Sequence, residues 1–130
     1  MTLLATQYSF ALTREQQKWC EGKDDASPDL RITSCSAVIE QTKVKKQKGD
    51  AFTSRGKAYR AKGDSDHAIH DFDEAIKIDG KNGDAFYNRG LAFRDRGETD
   101  RSLQDLEQVV KYDKKNSVAL NTLSLSLIHI

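Results

Sequence analysis

The chain has 130 residues, 32% of them charged and of both signs, with a net charge of +1, one proline and eight glycines. That length allows one domain, and so balanced a charge excludes the long-range field by which nucleic acid or an anionic membrane surface is attracted. A composition that is 37% hydrophobic is modest for a globular core but sufficient for an array in which each element packs only on its neighbours.

Residues 1–12, MTLLATQYSFAL, are apolar and rich in small residues but lack the positive start of a whole secretory signal. Ser9 and Ala11 form the small-x-small ending that precedes cleavage, so this stretch reads as the remnant of an export signal, or else as an ordinary frayed terminus. The first reading places the protein in the periplasm or outside the cell, and the second leaves it cytoplasmic. No run of apolar residues is long enough to span a bilayer.

Residues 13–48 read as a helical pair and a linker. Thr13 and Gln16 have the spacing of a capping box and open a short helix that ends near Cys20 or Glu21. After a polar loop from Gly22 to Ser27, Ser27 and Pro28 supply an N-cap and a proline at the first helical position. Leu30, Ile32, Cys35, Val38 and Ile39 then form one apolar stripe to about Gln41. Cys20 and Cys35 are the two cysteines of the chain, too few for a disulfide scaffold and wrongly spaced for a C-x-x-C or zinc motif. Two alternatives remain open: reduced side chains, one packed on the helix face, or a single bridge that in an oxidising compartment would contribute about 3 kcal/mol. Lys43 to Lys48 is a lysine-rich run without interleaved aromatics, which favours a solvated loop or helix end over a nucleic-acid contact.

Residues 49–82 and 83–116 are two copies of one 34-residue unit, joined without a gap and identical at fifteen places. Each reads as two amphipathic helices divided by Gly63 or Gly97, and neither pair could hide its apolar stripe alone. Phe52, Gly56, Tyr59, Ala68, Phe72 and Ala75 stand at places 4, 8, 11, 20, 24 and 27 of the first copy. Phe86, Gly90, Phe93, Ser102, Leu106 and Val109 hold the same places in the second. Period and pattern together resemble the tetratricopeptide repeat family. The resemblance implies an all-α solenoid of antiparallel helical hairpins whose first helices line a binding groove. The stretch Asp29–Ile39 can be laid on Asp66–Ile76 without a gap, so residues 13–48 resemble a degenerate leading unit with Cys35 over Phe72.

Place 7 departs from the family's usual leucine, being Arg55 in one copy and Arg89 in the other. Asp71 and Asp105 stand sixteen residues later, nearly symmetric with those arginines about the turn glycine. A structural Arg–Asp pair inside each hairpin is therefore expected, arginine being chosen for its two-pronged geometry. Ser65 and Thr99 are placed as N-caps of the second helices, with Asp66 and Asp100 in the first turn. Residues 117–130 start a third unit, Ala119 and Leu120 repeating Ala85 and Phe86. The final SLSLIHI loses the charges of the earlier first helices, makes a poor solvating cap and could self-associate. It also suggests a truncated gene boundary, and with it the alternative that the chain is the accessory part of a larger enzyme or envelope-assembly system.

The sequence holds no phosphate-loop, dinucleotide, nucleophile-elbow or zincin motif. His67, Asp71 and Glu74 could share one helix face, but three ligands from an exposed helix hold a metal weakly, and no metal or cofactor is expected. The resemblance instead implies a non-enzymatic module that holds a protein or peptide in its groove. Its groove places are filled by Asp50, Thr53, Lys57 and Arg60 in the first copy and by Asp84, Tyr87, Asn88, Leu91 and Arg94 in the second. The subset of the family that clamps C-terminal carboxylates of chaperones would set lysine where Thr53 stands, asparagine at Lys57 and at Asn88, lysine at Val118 and arginine at Thr122. Only Asn88 matches, so that clamp is not expected.

Overall fold

Gly63 and Gly97 both adopt φ of +80°, a left-handed conformation that only glycine takes without steric cost. Each ends a helix in the same way. The amide of the next residue, Asp64 or Glu98, reaches back 2.9 Å to the carbonyl of Tyr59 or Phe93 and closes the last turn. The chain then reverses, and a second helix returns along the first.

The computed structural model describes residues 12–113 and 115–128. Its helices are α1 (Arg14–Cys20), α2 (Pro28–Gln41), α3 (Lys45–Ala61), α4 (Ser65–Ile78), α5 (Gly83–Asp95), α6 (Thr99–Tyr112) and α7 (Ser117–Ile128), with no strand among the described residues. The protein is thus an all-α solenoid. The export-signal reading of residues 1–11 lies outside the described residues.

Helices pack mainly on their sequence neighbours, giving hairpins α1/α2, α3/α4 and α5/α6, followed by α7 alone. First helices also meet across units, α1 with α3 and α3 with α5. The apolar stripes close into a row of small cores rather than one large one, as nearest-neighbour stacking requires. Cys20, Cys35, Val38 and Ala51 form the first, and Phe52, Ala75 and Ala85 the next. Ala68, Ile69, Phe72, Ala92 and Phe93 join the two full repeats, and Phe86, Val109 and Ala119 seat α7. Cys35 and Phe72, which hold one place in the leading unit and the first repeat, are both fully buried.

Two expectations are corrected. The N-cap of α4 is Asp64, whose carboxylate accepts the His67 amide at 3.1 Å, and Ser65 is the first helical residue. The N-cap of α6 is Glu98 rather than Thr99, with no side-chain cap bond, because its carboxylate is drawn to Arg96 at 2.9 Å and Arg101 at 3.3 Å. The lysine run is helical from Lys45 onward, so α3 begins four residues before the repeat unit does. The capping box of Thr13 and Gln16 is present in both directions, and Ser27 caps α2 ahead of Pro28.

Gly56 of α3 lies directly against the Phe72 ring of α4. A Cβ there would fall 2.5 Å from the Phe72 ring, whereas one on Gly90 would meet Asp105 and the Ser102 carbonyl at 3.3 Å. Gly56→Ala should therefore destabilise by about 1 to 3 kcal/mol in urea melts, and Gly90→Ala by less. The hydrogen bond donated by the His67 main-chain N–H also holds Asp64 below the usual carboxylate pKa. A depressed carboxylate stabilises above its unfolded value and loses that contribution as pH falls through the folded one. The advantage of wild type over Asp64→Ala in thermal melts should be full above about pH 5 and fade below about pH 4.

Candidate functional site

Place 7 of each first helix faces inward, into its own hairpin. Arg55 donates from Nε and Nη2 to the two carboxylate oxygens of Asp71 at 2.8 and 2.7 Å. Arg89 does the same to Asp105 at 2.9 and 2.7 Å. The carboxylates are 2% and 5% exposed, so each fork is a nearly dry, two-pronged ion pair. These bonds push the already high pKa of both arginines further up, against the opposing effect of burial.

The third guanidinium nitrogen reaches the preceding unit, which sequence reasoning missed. Arg89 Nη1 donates to Asp73 at 2.9 Å, and Arg55 Nη1 to Ser36 at 3.0 Å. Asp73 and Ser36 hold the same place when the leading unit is laid on the repeat, so the bond recurs with the period.

The groove residues divide into covered and open ones. Thr53, Asn88 and Leu91 are buried. Thr53 donates to the Gly49 carbonyl at 3.1 Å, and its hydroxyl receives Asn82 at 3.4 Å. Asn88 spends its amide on Asp84, donating to the main-chain carbonyl at 2.8 Å and the carboxylate at 2.9 Å. Lys57 pairs with Asp84 at 2.8 Å and Arg60 with Asp95 at 2.7 Å, so both cross from α3 to α5. Asp50 pairs with Lys46 at 2.8 Å within α3. Arg94 is exposed and Tyr87 half-buried.

Three hollows open along the starts of the first helices. One of about 190 Å³ is walled by Gln17, Cys20, Val38 and Ala51. The next, about 250 Å³, lies between the end of α1, α3 and α5 and has Glu21, Asp50 and Asp84 in its wall. The third, about 430 Å³, is a cleft where α5, α6 and α7 meet, with Tyr87, Tyr112 and Val118 beside Asp84. Cys20 and Cys35 stand with sulfurs at bonding distance, their Cα atoms 4.6 Å apart, tying α1 to α2 beside the first hollow.

The one-face metal arrangement does not assemble. Asp71 is turned inward onto Arg55, while His67 stacks on Tyr59 at 5.0 Å and pairs with Asp64 at 2.6 Å. Among the described residues no three histidine, cysteine or carboxylate side chains are grouped to hold a metal ion.

Residues 56–94 match the family model of the TPR repeat and residues 83–116 that of the tetratricopeptide repeat. Together with hairpins that turn at the same glycine in each 34-residue unit, these matches show that the chain belongs to the tetratricopeptide repeat family. No curated protein sequence matches it. Among solved structures, the first TPR of Spaghetti (RPAP3), bound to the HSP90 peptide SRMEEVD, is similar with a TM-score of 0.78 and 19% identity, over 91% of this chain and 89% of that one. The first TPR domain of human RPAP3, solved by NMR, gives 0.76 and 20% identity over 88% and 90%. MamA gives 0.80 and 18% identity, covering 95% of this chain and 70% of its own. At such identities the likeness establishes the fold.

A double-mutant cycle on Arg89 and Asp105 should show strong coupling in urea melts. Removing either partner alone should cost about 3 to 5 kcal/mol, since it strands a buried charge. The same cycle on Arg89 and Asp73, whose side chain is 44% exposed, should couple by no more than about 1 kcal/mol. Coupling near zero in the first cycle would show that the fork contributes nothing to stability.

Proposed function

We propose that the array is a non-enzymatic protein-interaction module that holds a peptide or a partner helix along the face made by α3, α5 and α7. The observation that carries this reading is the contrast between the two sides of the first helices. Arg55 and Arg89 are spent on internal pairing, while Asp50 and Asp84 are exposed beside hollows that follow the face from unit to unit, and Arg94 is exposed farther along α5. Tyrosine and arginine are residue types that carry interface energy. The Spaghetti (RPAP3) neighbour, solved with a bound peptide, supports peptide binding as the kind of task this fold performs.

The polarity of the face changes along its length. Places 2 and 9 are Asp50 and Lys57 in α3, Asp84 and Leu91 in α5, and Val118 and Leu125 in α7. A partner that fits would be polar at one end and apolar at the other. Tyr87→Ala with Arg94→Ala should abolish capture of the cellular partner while leaving helicity and melting temperature nearly unchanged. The same substitutions at Gln104 and Gln108, on α6, should be silent, and equal loss from both sets would place the interface elsewhere.

We further propose an oxidising compartment, periplasmic or extracellular, on the strength of the Cys20–Cys35 bridge. Titration of unreduced protein from its native host should find no free thiol. Two free thiols would refute the bridge. Self-association through α7 is a second reading, favoured by a helix with no charged residue and with Val118 and Leu125 each 58% exposed. Sedimentation should then show a dimer that Leu120→Glu with Leu125→Glu returns to monomer.

A further inference from the structure

The leading hairpin is held together differently from the two that follow it. In those, Arg55 and Arg89 of the first helix fork onto Asp71 and Asp105 of the second. Ser34 holds that acid's place in α2 when Asp29 is laid over Asp66, so the leading unit has no carboxylate with which to close a fork. Apart from the two cysteines themselves, no side-chain hydrogen bond or ion pair joins α1 to α2 or α3 among the described residues, the capping-box bonds staying between Thr13 and Gln16. With seven residues, α1 is too short to persist as a helix without tertiary support, and Cys20 is its one buried residue.

The apolar junction beneath it is small. It consists of Cys20, Cys35, Val38 and Ala51, with Leu12 and Ile39 partly buried beside them, where the junction of the two full repeats has the rings of Phe72 and Phe93. The loop after α1 works against the docked position. Asp24 and Asp25 stand at φ of +60° and +51°, two consecutive left-handed residues that carry side chains, whereas the later hairpins turn on Gly63 or Gly97 alone. Such a conformation persists only where its surroundings enforce it. The bridge encloses this loop, from Cys20 before it to Cys35 beyond it.

We propose that the Cys20–Cys35 bridge is a redox latch: reduction by a dithiol lets α1 leave α2 and α3, while the hairpins α3/α4 and α5/α6 stay folded. This rests on the bridge from which the oxidising compartment is proposed above, and adds what the bond controls. Cys20 stands in the wall of the first hollow, which gives a small dithiol a route to the bond. One thiolate of the reductant bonds to the Cys20 sulfur as the S–S bond breaks, and the Cys35 sulfur leaves with the electron pair and takes up a proton. The second thiolate then displaces the Cys20 sulfur, which is protonated in turn, and the reductant closes its own disulfide after giving up two electrons. Without α1 the first hollow loses Gln17, Cys20 and Glu21 from its wall, leaving Val38 and Ala51 at an open end of the array. Each unit packs on its neighbours only, so the forks of the later hairpins hold.

Trp19, the single tryptophan of the chain, is half-buried next to Cys20 and reports on α1. The test follows the intact chain by amide hydrogen exchange and tryptophan emission, oxidised and in dithiothreitol, with thiols titrated in each state. Reduction should release two thiols and move the Trp19 emission to longer wavelength. Exchange at Gln17 and Glu21, whose amides bond within the α1 turn, should become at least about tenfold faster while α4 and α6 are unchanged. Cys20→Ala, which leaves Cys35 in its core, should show the same without reductant. A bridge that dithiothreitol does not open in the folded protein, or unchanged exchange in α1 once it is open, would overturn the latch. Loss of protection throughout α4 and α6 would overturn it too, since the bond would then be a condition of the whole fold. Two thiols before reduction would remove the bridge and the compartment reading together, whereas a bridged chain whose α1 stays protected on reduction sinks the latch alone.

Discussion

The guanidinium at place 7 is the point on which the array depends. Its carbon lies 5.3 and 5.8 Å from the ring centres of Phe86 and Phe93 in the second repeat, and 5.5 and 6.0 Å from those of Phe52 and Tyr59 in the first. Those rings stand three residues before and four after the arginine, the helical spacing that sets them on either side of it. The charged plane is thus flanked by aromatics, forked onto the carboxylate of its own second helix, and bonded to a side chain of the preceding unit. One residue joins first helix, second helix and neighbouring repeat. Leucine, the family's usual occupant, could supply the packing but neither of the hydrogen-bonded links. Arginine makes the contact directional, which specifies register between units as well as attraction.

The same network limits what the structure can do at its far end. In α7 the corresponding place is Leu123, and the acceptor offered by the preceding unit is Glu107. That pair cannot form the link made by Arg89 and Asp73. Leu120, at the place where Phe52 and Phe86 are 9% and 8% exposed, is 38% exposed, because α7 packs on α6 without a second helix of its own among the described residues.

Much of this was readable from the letters because the period does the counting. Once Gly63 and Gly97 are taken as turn centres, places 7 and 23 fall opposite one another, and opposite charges at both are hard to read otherwise. What escaped is whatever depends on how units lie against each other. The bond from Arg89 to Asp73 joins residues sixteen apart, the same separation as Arg89 to Asp105 but in the other direction along the chain, and only stacking tells which of the two acids is buried. Lys57 and Asp84 could have been suspected as opposite charges at places 9 and 2 of successive units, had the rise between first helices been known. The cap of α4 was misplaced for a local reason: Asp64 and Ser65 are both good capping types, and the sequence alone does not say which of them precedes the first helical residue. Thr53, Asn88 and Leu91 stand at places that look into the groove in the family, yet here they are buried, with Thr53 bonded to Gly49 and Asn82 and Asn88 to Asp84.

Asn88 shows how a shared residue can serve a different chemistry. It is the single match to the positions by which some members of the family clamp a terminal carboxylate, and its amide would have to be free to donate to one. Here both of its described bonds go to Asp84, one to the main chain and one to the carboxylate. An asparagine amide has two N–H donors, and burial leaves little solvent to compete for them. A ligand carboxylate approaching Asn88 would therefore find both donors engaged and would meet the Asp84 carboxylate beside them. A shared fold therefore leaves the chemistry at one groove place to the side chains around it, and at Asn88 those are the main chain and carboxylate of Asp84.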